Sequence, residues 1–386
     1  MVEASVLRDK AVIVGIGETQ VGKLPGRSRM SLEIEACRLA LEDAGIGKDQ
    51  VDGFLTRTPN DRPVYDYCTV LAHRMGLSPT FMSDVGTMGC SPITMAIIAA
   101  MAVTLGQAEV VLCTTAHNAA SHEGPKRGSA GGDAADYTSP YGHLGAPAGY
   151  AMAARRHMYE YGTTSRQFGA IAVAARKHAS MNPNAQMKQP ITIEDHQNSR
   201  WITDPFHLLD CCLQSDGAGA FVVTSAERAK DLKTRPAFIM GVGQHYPYGE
   251  LNAAPSMTTV GSKRSSELAY KMAGIGPKDV DVAEIYDCFT YTTLVTLEDY
   301  GFCKKGEGGS FVEGGRIEIG GELPVNTHGG LLSQGHVEAM LHLLEGVRQA
   351  RHDPSLGPRQ VENAEIAMVS GNGGILQMHN SLILRG

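Results

Sequence analysis

The stretch AGIGKDQVD at residues 44–52 decides the fold of this chain, because it returns 229 residues later as AGIGPKDVD at residues 273–281. Each copy follows an amphipathic helical stretch and precedes an apolar run. Glycine is the expected residue after such a helix, since it enters the left-handed conformation without strain. The shared helix end, turn and strand start predict duplication of a whole layered unit. Chance reuse of a common helix-end sequence is the alternative.

Composition restricts the class of protein. The chain has 386 residues, of which 42% are apolar and 19% charged, so it can bury more than one small core. A net charge of −7 argues against nucleic-acid binding, which needs a basic surface. No apolar run is long enough to span a bilayer, and the charged start lacks the apolar centre of a signal peptide. Eight cysteines do not make a disulfide framework in so long a chain, so we expect a reducing, cytoplasmic location.

Strand and helix patterns alternate at both ends of the chain. The first end predicts a buried strand at 11–17, helices at 31–43 and 91–105, and a strand at 109–114; the second predicts helices at 265–272 and 335–349 and strands at 282–285 and 365–370. This alternation predicts a layered α/β fold. The glycines Gly15 and Gly17 are a weak dinucleotide-binding signal, and we reject it because no third glycine completes the motif.

The middle of the chain, residues 116–235, breaks this alternation. Helical patterns at 148–161 and 165–179 follow a segment at 118–147 that is rich in Gly, Ser, Ala and His and is long for a plain connection. We predict an inserted lid over a site that the two halves form. The predicted divisions are 1–117 plus 215–235 for the N-terminal half, 118–214 for the lid and 236–386 for the C-terminal half.

The segment MGCSP at residues 88–92 is the first of four places where active groups of such folds gather. Cys90 stands at the start of the apolar helix, where the helix dipole lowers the pKa of a thiol. It is therefore a candidate nucleophile, and a small packing residue is the alternative. Gly89 beside it is a candidate backbone donor.

The second and fourth segments follow predicted strands. Tyr286 can donate or accept a proton, and Asp287 can orient a partner or cap the helix that follows. The backbone N–H groups of Asn372, Gly373 and Gly374 can face a developing oxyanion, unless these residues form a plain glycine turn.

The third segment is a glycine-rich loop that runs from Asn326 to His336. His336 precedes a predicted helix, where a neutral histidine acts as acid, base or hydrogen-bond donor. Asn326 and His328 are candidate substrate-binding residues, and His328 can instead brace the loop. His328 and His336 are eight residues apart, which is not a metal-ligand spacing, so we expect no metal.

Together these segments resemble the thiolase superfamily, most closely the sterol-carrier-protein-X-type thiolases and the thiolase-like lipid-transfer proteins. The resemblance covers nearly the whole chain. The motifs that carry it are YDCFT at 286–290 with GFCKKGEGG at 301–309, NTHGGLLSQGH at 326–336, LDCC at 209–212 with SDGA at 215–218, and GNGG at 371–374. It implies a thiolase-like αβαβα fold of two similar halves with a lid, a coenzyme A thioester as substrate, no bound cofactor, and a homodimer.

Departures from the family pattern bear on the reaction. Thiolases carry a nucleophilic cysteine in a Cys-x-Ser/Thr-Gly motif, and the best register puts Gly89 at that position, whereas a slip of one residue would put Cys90 there. The second family cysteine, an acid/base, is replaced by Gly371, and the histidine of the Asp-Cys-Phe motif is replaced by Tyr286. The histidine of the Gly-His-Pro motif is kept as His336.

Retro-aldol cleavage of a β-hydroxyacyl-CoA is the leading hypothesis, because it needs no covalent intermediate. Tyr286 would be the acid/base, His336 and backbone N–H groups near Asn372 and Gly373 would hold the thioester oxygen, and Asp287 would orient its neighbours. Some similar proteins trim steroid side chains together with a small accessory protein that has an OB-fold and a zinc ribbon, so the resemblance implies such a partner.

Two alternatives stay open. The first is an acetyl-CoA acyltransferase, or thiolase, that uses Cys90 as its nucleophile. The second is a non-catalytic acyl-CoA-binding, lipid-binding or scaffold subunit.

Overall fold

The computed structural model describes residues 6–59, 66–121, 139–143 and 145–386. Its helices are α1 (Arg29–Ala44), α2 (Tyr67–Met75), α3 (Ser91–Thr104), α4 (Gly145–Tyr161), α5 (Ser165–Ser180), α6 (Ile193–Asn198), α7 (Ala226–Ala229), α8 (Gly261–Ala273), α9 (Thr290–Asp299), α10 (Gly308–Phe311), α11 (Gly330–Ser333) and α12 (Met340–Ala350). Its strands are β1 (Ala11–Glu18), β2 (Gly53–Thr56), β3 (Phe81–Asp84), β4 (Val110–Asn118), β5 (Trp201–Thr203), β6 (Phe206–His207), β7 (Asp216–Ser225), β8 (Ala237–His245), β9 (Val282–Glu284), β10 (Ile366–Gly373) and β11 (Met378–Arg385).

Nine strands of the described chain form one mixed sheet in the order β3-β2-β4-β7-β1-β8-β11-β10-β9. The order is nearly a palindrome, since β2, β4, β7 and β1 of the first half match β9, β10, β11 and β8 of the second. The matching pairs also agree in direction, since β2–β4 and β9–β10 are parallel while β4–β7 and β10–β11 are antiparallel. The halves join where β1 pairs with β8 over two residues of each strand. The predicted thiolase-like α/β fold with two similar halves is thus confirmed.

The repeated stretch does the same structural work in both halves. Gly45 ends α1 with φ 67°, and Gly274 ends α8 with φ 69°. Seven residues after each glycine, an aspartate accepts two backbone N–H bonds at the start of a parallel strand: Asp52 at β4 and Asp281 at β10. These bonds join each turn to the neighbouring strand, so the repeat sets both the helix end and the strand register.

The two glycines of β1 serve helix packing. A Cβ on Gly15 or Gly17 would overlap backbone carbonyl oxygens of α1. Gly243 of β8 faces α8 in the same way, where a Cβ would overlap the Ser265 carbonyl oxygen. The close approach of the helices to these strands therefore accounts for the Gly-x-Gly pattern. A nucleotide-binding role is not needed to explain it.

The burial of the helices shows how they are layered on the sheet. The helix α3 is buried nearly all round, and it contacts α12 of the second half. Along β1, Val12 and Val14 pack in one apolar cluster with α1, while Ile13 and Ile16 belong to a second cluster with α3. Each face of the sheet is therefore covered by helices, as in a layered fold.

Several local boundaries differ from the sequence expectations. The first helix begins at Arg29, because Ser28 Oγ accepts a bond from the Ser31 amide and caps it. The helix expected from 335 begins at Met340, after the short helix α11. The helices α4 and α5 appear where the central region predicts them, and α6 and the β5–β6 hairpin follow them.

Most of the predicted lid segment at 118–147 lies outside the described residues, namely residues 122–138 and 144. The division of the chain at 117, 214 and 235 stays a prediction. Among the described helices, none is long and apolar enough to cross a membrane.

Candidate active site

Tyr286 and Asp287 leave the sheet directly after β9. The preceding Ile285 is held by the side chain of Asn326, whose Oδ1 accepts from the Ile285 amide at 2.6 Å and whose Nδ2 donates to its carbonyl at 2.8 Å. The Tyr286 amide donates to Ser370 Oγ at the next strand. The strand end is thereby fixed, and the two polar side chains are carried past the edge of the sheet.

Tyr286 and His336 form a hydrogen-bonded pair, with 3.1 Å between the phenol oxygen and Nε2. Burial first, and then nearby thiols, raise the pKa of Tyr286 well above its usual value. Burial first, and then His342 and Arg57, lower the pKa of His336 to about 4, although Asp287 acts in the opposite direction. Both groups are therefore uncharged near neutral pH. Neither group has to gain or lose a charge before a proton passes from the phenol to the imidazole.

Gly89 lies directly under the Tyr286 hydroxyl. A Cβ on Gly89 would lie 2.5 Å from the Tyr286 phenol oxygen and would overlap the Asn372 carbonyl oxygen. The tyrosine hydroxyl thus stands in the space that a side chain on residue 89 would need.

The neighbouring Cys90 turns away from this space. Its side chain is fully buried and its Sγ lies 3.3 Å from the Met378 carbonyl oxygen. Burial raises the pKa of the Cys90 thiol, which outweighs its place at the start of α3. The nucleophilic role that the sequence alternative gives Cys90 has no support in this geometry.

Asp287 is buried and acts on the glycine-rich loop. Its carboxylate accepts the backbone N–H groups of Leu331, at 2.7 Å, and Leu332, and it accepts a bond from His342 Nε2 at 3.0 Å. The helix α9 that follows has Phe289 at its N-cap and no side-chain cap. Asp287 was expected either to cap the helix that follows or to orient a partner. Its contacts support the second role, since its carboxylate bonds to the loop and to His342.

A buried polar layer lies behind the pair. The ring of His342 stacks on Tyr286, and its centroid is 4.7 Å from that of His328. His328 Nδ1 lies 2.8 Å from Glu284, which with other acids outweighs burial and raises the pKa of His328. The side chains of Asn326 and His328 are both buried, so they brace the strand end and loop, and their expected contact with substrate has no support here.

The segment 372–374 is held by Tyr150, which the sequence analysis did not identify as a candidate site residue. Tyr150 of α4 accepts a bond from Asn372 Nδ2 at 2.5 Å and donates to the Gly374 carbonyl at 2.7 Å. The central region thus contacts the 372–374 segment through this phenol. A tyrosine in an alanine-rich helix carries no local signal of this contact, because Tyr150 and Asn372 are far apart in sequence.

Three further residues at the site were also missed. His117 is the penultimate residue of β4, and its ring centroid is 5.1 Å from that of His336. His117 Nε2 lies 3.3 Å from Glu338 Oε1, and Glu338 is ion-paired with Arg57. Glu338 is buried and has φ 54°, an unusual backbone conformation for a glutamate. In the sequence, Glu338 stands two residues after His336, and this position could have identified it as a candidate site residue.

A cavity of about 730 Å³ lies along α4. Its lining includes Ala148, Met152, Arg155, Arg156 and Tyr159, which share one face of the helix. Tyr150 on the same helix contacts the residues around Asn372, so α4 connects this cavity to the site.

Comparison with known proteins agrees with the fold. The family model described as "Thiolase C-terminal domain-like" matches residues 243–386. A steroid side-chain-cleaving aldolase of Thermomonospora curvata is 42% identical, over 96% of this chain and 97% of that protein. A 17-hydroxy-3-oxo-4-pregnene-20-carboxyl-CoA lyase of Mycobacterium tuberculosis is also 42% identical, over 96% and 98%. The solved structure named Ltp2-ChsH2(DUF35) aldolase superposes with a TM-score of 0.89 at 38% identity, and the match covers 98% of both chains.

Proposed function

Since the chain belongs to the thiolase superfamily, we propose that it is a carbon–carbon lyase that cleaves a β-hydroxyacyl-CoA thioester by a retro-aldol reaction. One observation carries this choice: the Tyr286 hydroxyl occupies the space above Gly89 where a thiolase nucleophile would stand. The relatives named an aldolase and a CoA lyase support it. A thiolase reaction through Cys90 would need a thiolate, and this thiol is buried and turned away.

The proposed reaction begins with proton transfer through the Tyr286–His336 pair. The β-hydroxyl proton of the substrate passes to the Tyr286 oxygen, while the tyrosine gives its own proton to His336 Nε2 over the 3.1 Å bond. The electrons of the O–H bond form the new carbonyl, and those of the broken Cα–Cβ bond pass into the thioester enolate. Protonation of the enolate at Cα then gives the shortened acyl-CoA.

His336 has a second part in this scheme. The imidazolium that forms when it accepts the proton is a strong hydrogen-bond donor for the enolate oxygen, as expected from the sequence. The negative charge that develops on the enolate offsets the burial that keeps the pKa of His336 at about 4. Backbone N–H groups of Gly89, Gly373 and Gly374 complete the proposed oxyanion site, and Asp287 holds the loop that precedes His336.

For the substrate we propose a bulky acyl group of the steroid side-chain type. The support is in the names of the two 42% identical relatives, which specify steroid side-chain cleavage and a pregnene carboxyl-CoA. The coenzyme A part would lie in the cavity along α4, where Arg155 and Arg156 are placed to meet phosphates. A volume of about 730 Å³ is in the range of small-molecule sites.

We further propose a homodimer that works with a small accessory subunit containing an OB-fold and a zinc ribbon. The strand β3 is an outer strand of the sheet, and its residues from Met82 to Asp84 are exposed, so a second copy can pair with it. The solved aldolase with a TM-score of 0.89 joins two proteins in its name, which supports an accessory partner. All eight cysteines are free thiols, which supports a cytoplasmic location.

Mass spectrometry of products from a panel of acyl-CoA substrates tests the proposed reaction. The panel pairs β-hydroxyacyl-CoA without free CoA against β-ketoacyl-CoA with free CoA, each with and without a candidate accessory subunit. We expect cleavage of the β-hydroxy substrates alone. CoA-dependent cleavage of the β-keto substrates would instead establish a thiolase. Tight binding of every substrate without turnover in either setting would establish a carrier or scaffold.

A further inference from the structure

The retro-aldol reaction requires proton transfer at two different atoms, the β-oxygen and the α-carbon. The Tyr286–His336 pair accounts for the first. The family position for a second, carbon-directed acid/base holds Gly371, whose missing side chain cannot transfer a proton. Another group near His336 is therefore needed for the α-carbon.

His117 has the required geometry. Its Nε2 lies 3.3 Å from the Glu338 carboxylate, which only accepts hydrogen bonds, so Nε2 carries the ring proton and Nδ1 keeps a lone pair. Nδ1 accepts no hydrogen bond from any of the described residues, and 21% of the side chain is exposed. Burial first, and then His336, Arg29 and Arg57, lower the pKa of His117 well below its usual value, so the ring is neutral near pH 7.

Three features hold Glu338 in place: the burial of its side chain, its backbone conformation and an ion pair. Its side chain is buried, its backbone has φ 54°, and Arg57 from the other half of the sheet pairs with its carboxylate. Backbone strain of this kind costs about 1–3 kcal/mol and persists where the surroundings enforce it, often at functional sites. Arg57 pairs with the carboxylate, and the carboxylate in turn fixes the tautomer and direction of the His117 ring.

We propose that His117, oriented by Glu338, is the group that exchanges a proton with the α-carbon of the acyl-CoA. In cleavage, Nδ1 first accepts a proton, from solvent or from the imidazolium of the adjacent His336, and then gives it to Cα of the enolate. In the reverse direction, Nδ1 removes the α-proton and the electrons of the C–H bond form the enolate. The inference rests on the proposed function, but its test does not require the cleavage step.

The test measures hydrogen–deuterium exchange at the α-carbon of propionyl-CoA, incubated with the full chain in D₂O without any carbonyl partner and read by mass spectrometry. We expect the unchanged protein to catalyse exchange and His117→Asn to lower the rate by about 100-fold, as for loss of a general base. Glu338→Gln should lower it by about tenfold and shift its pH profile, because the amide no longer fixes the His117 tautomer.

A surface variant serves as the comparison. His352→Asn removes a histidine that faces Glu365 at 3.9 Å on the surface, and it should leave exchange unchanged. Thermal melting shows whether each variant is folded.

Two results would overturn the role of His117: no exchange by the unchanged protein, or undiminished exchange by folded His117→Asn. Exchange that depends on His117, in a protein that never cleaves β-hydroxyacyl-CoA, would refute only the retro-aldol function. The two proposals therefore fail in distinguishable ways.

Discussion

The hydroxyl of Tyr286 and the missing side chain of Gly89 share one volume, since a Cβ on residue 89 would lie 2.5 Å from the tyrosine oxygen. The two residues come from different halves of the duplicated sheet. A side chain at residue 89, just before α3, and a tyrosine after β9 therefore exclude each other. This steric relationship is the basis on which we propose a reaction without an acyl-cysteine.

Gly89→Ala should displace Tyr286 and lower kcat for β-hydroxyacyl-CoA cleavage by about 100-fold, since small misplacements of a reacting group are costly. Overpacking should also lower the free energy of unfolding by about 1–3 kcal/mol. Gly86→Ala is the matched control, because a Cβ there meets nothing within 4 Å. Equal kcat for both variants would contradict the shared-volume argument.

Tyr286→Phe should abolish proton transfer from the β-hydroxyl and reduce cleavage by at least about 100-fold. Stability should change by only about 1 kcal/mol, the net worth of one hydrogen bond. Tyr270→Phe is the control, since this buried tyrosine also makes one bond, to the Tyr300 carbonyl, away from the site. Turnover by Tyr286→Phe at the rate of that control would remove Tyr286 from the mechanism.

Cys90→Ala should leave cleavage within about twofold of the unchanged protein, while the small cavity it creates lowers stability by about 1 kcal/mol. Cys37→Ala, another fully buried thiol, should lower stability to a similar degree. The measurements are initial rates, urea unfolding, and the intact protein mass after incubation with acyl-CoA. An acyl adduct that disappears in Cys90→Ala would restore the thiolase alternative.

Arg155→Ala should raise KM for acyl-CoA by about 10- to 100-fold and leave kcat nearly unchanged, since a lost phosphate contact costs about 1.5–3 kcal/mol in binding. Arg166→Ala on α5 is the control, because Arg166 is similarly exposed and also has an acidic neighbour. Steady-state kinetics with one β-hydroxyacyl-CoA distinguish the two. Unaltered KM in Arg155→Ala would place coenzyme A elsewhere.

Acid should destabilise the fold through His336. Its pKa is lowered from 6.5 to about 4 by burial, so between these values the unfolded chain binds more protons at this residue than the folded one. Stability from this residue is therefore complete above pH 6.5 and is lost as the pH falls toward 4. Urea unfolding across this interval should show a steeper pH dependence for the unchanged protein than for His336→Gln. Parallel curves would show that the lowered pKa is absent.

Much of the fold follows from short stretches of sequence. The helix end and turn at Gly45 and Gly274, and the strand starts held by Asp52 and Asp281, recur with the same residues and the same bonds. Periodic burial and capping act within a few residues, so they can be read locally. The position of Tyr286 and Asp287 directly after a strand was readable for the same reason.

The details of the site depend on residues that are distant in sequence. Asp287 orients the loop that leads to His336 instead of capping α9, and no pattern near Asp287 distinguishes these roles. Tyr150 reaches the 372–374 segment from the central region, and only the packing of α4 against the sheet decides this contact.

The sequence by itself determined the duplicated α/β fold and the presence of Tyr286, His336 and Asp287 at the ends of its elements, because these depend on local propensity and spacing. Only the tertiary structure decided that Tyr286 fills the space over Gly89 and that Cys90 faces the interior. It also brought His117 to Glu338 across the sheet. Such contacts arise when the two halves pack, and the energy of side-chain packing is set by partners that are close in space but remote along the chain.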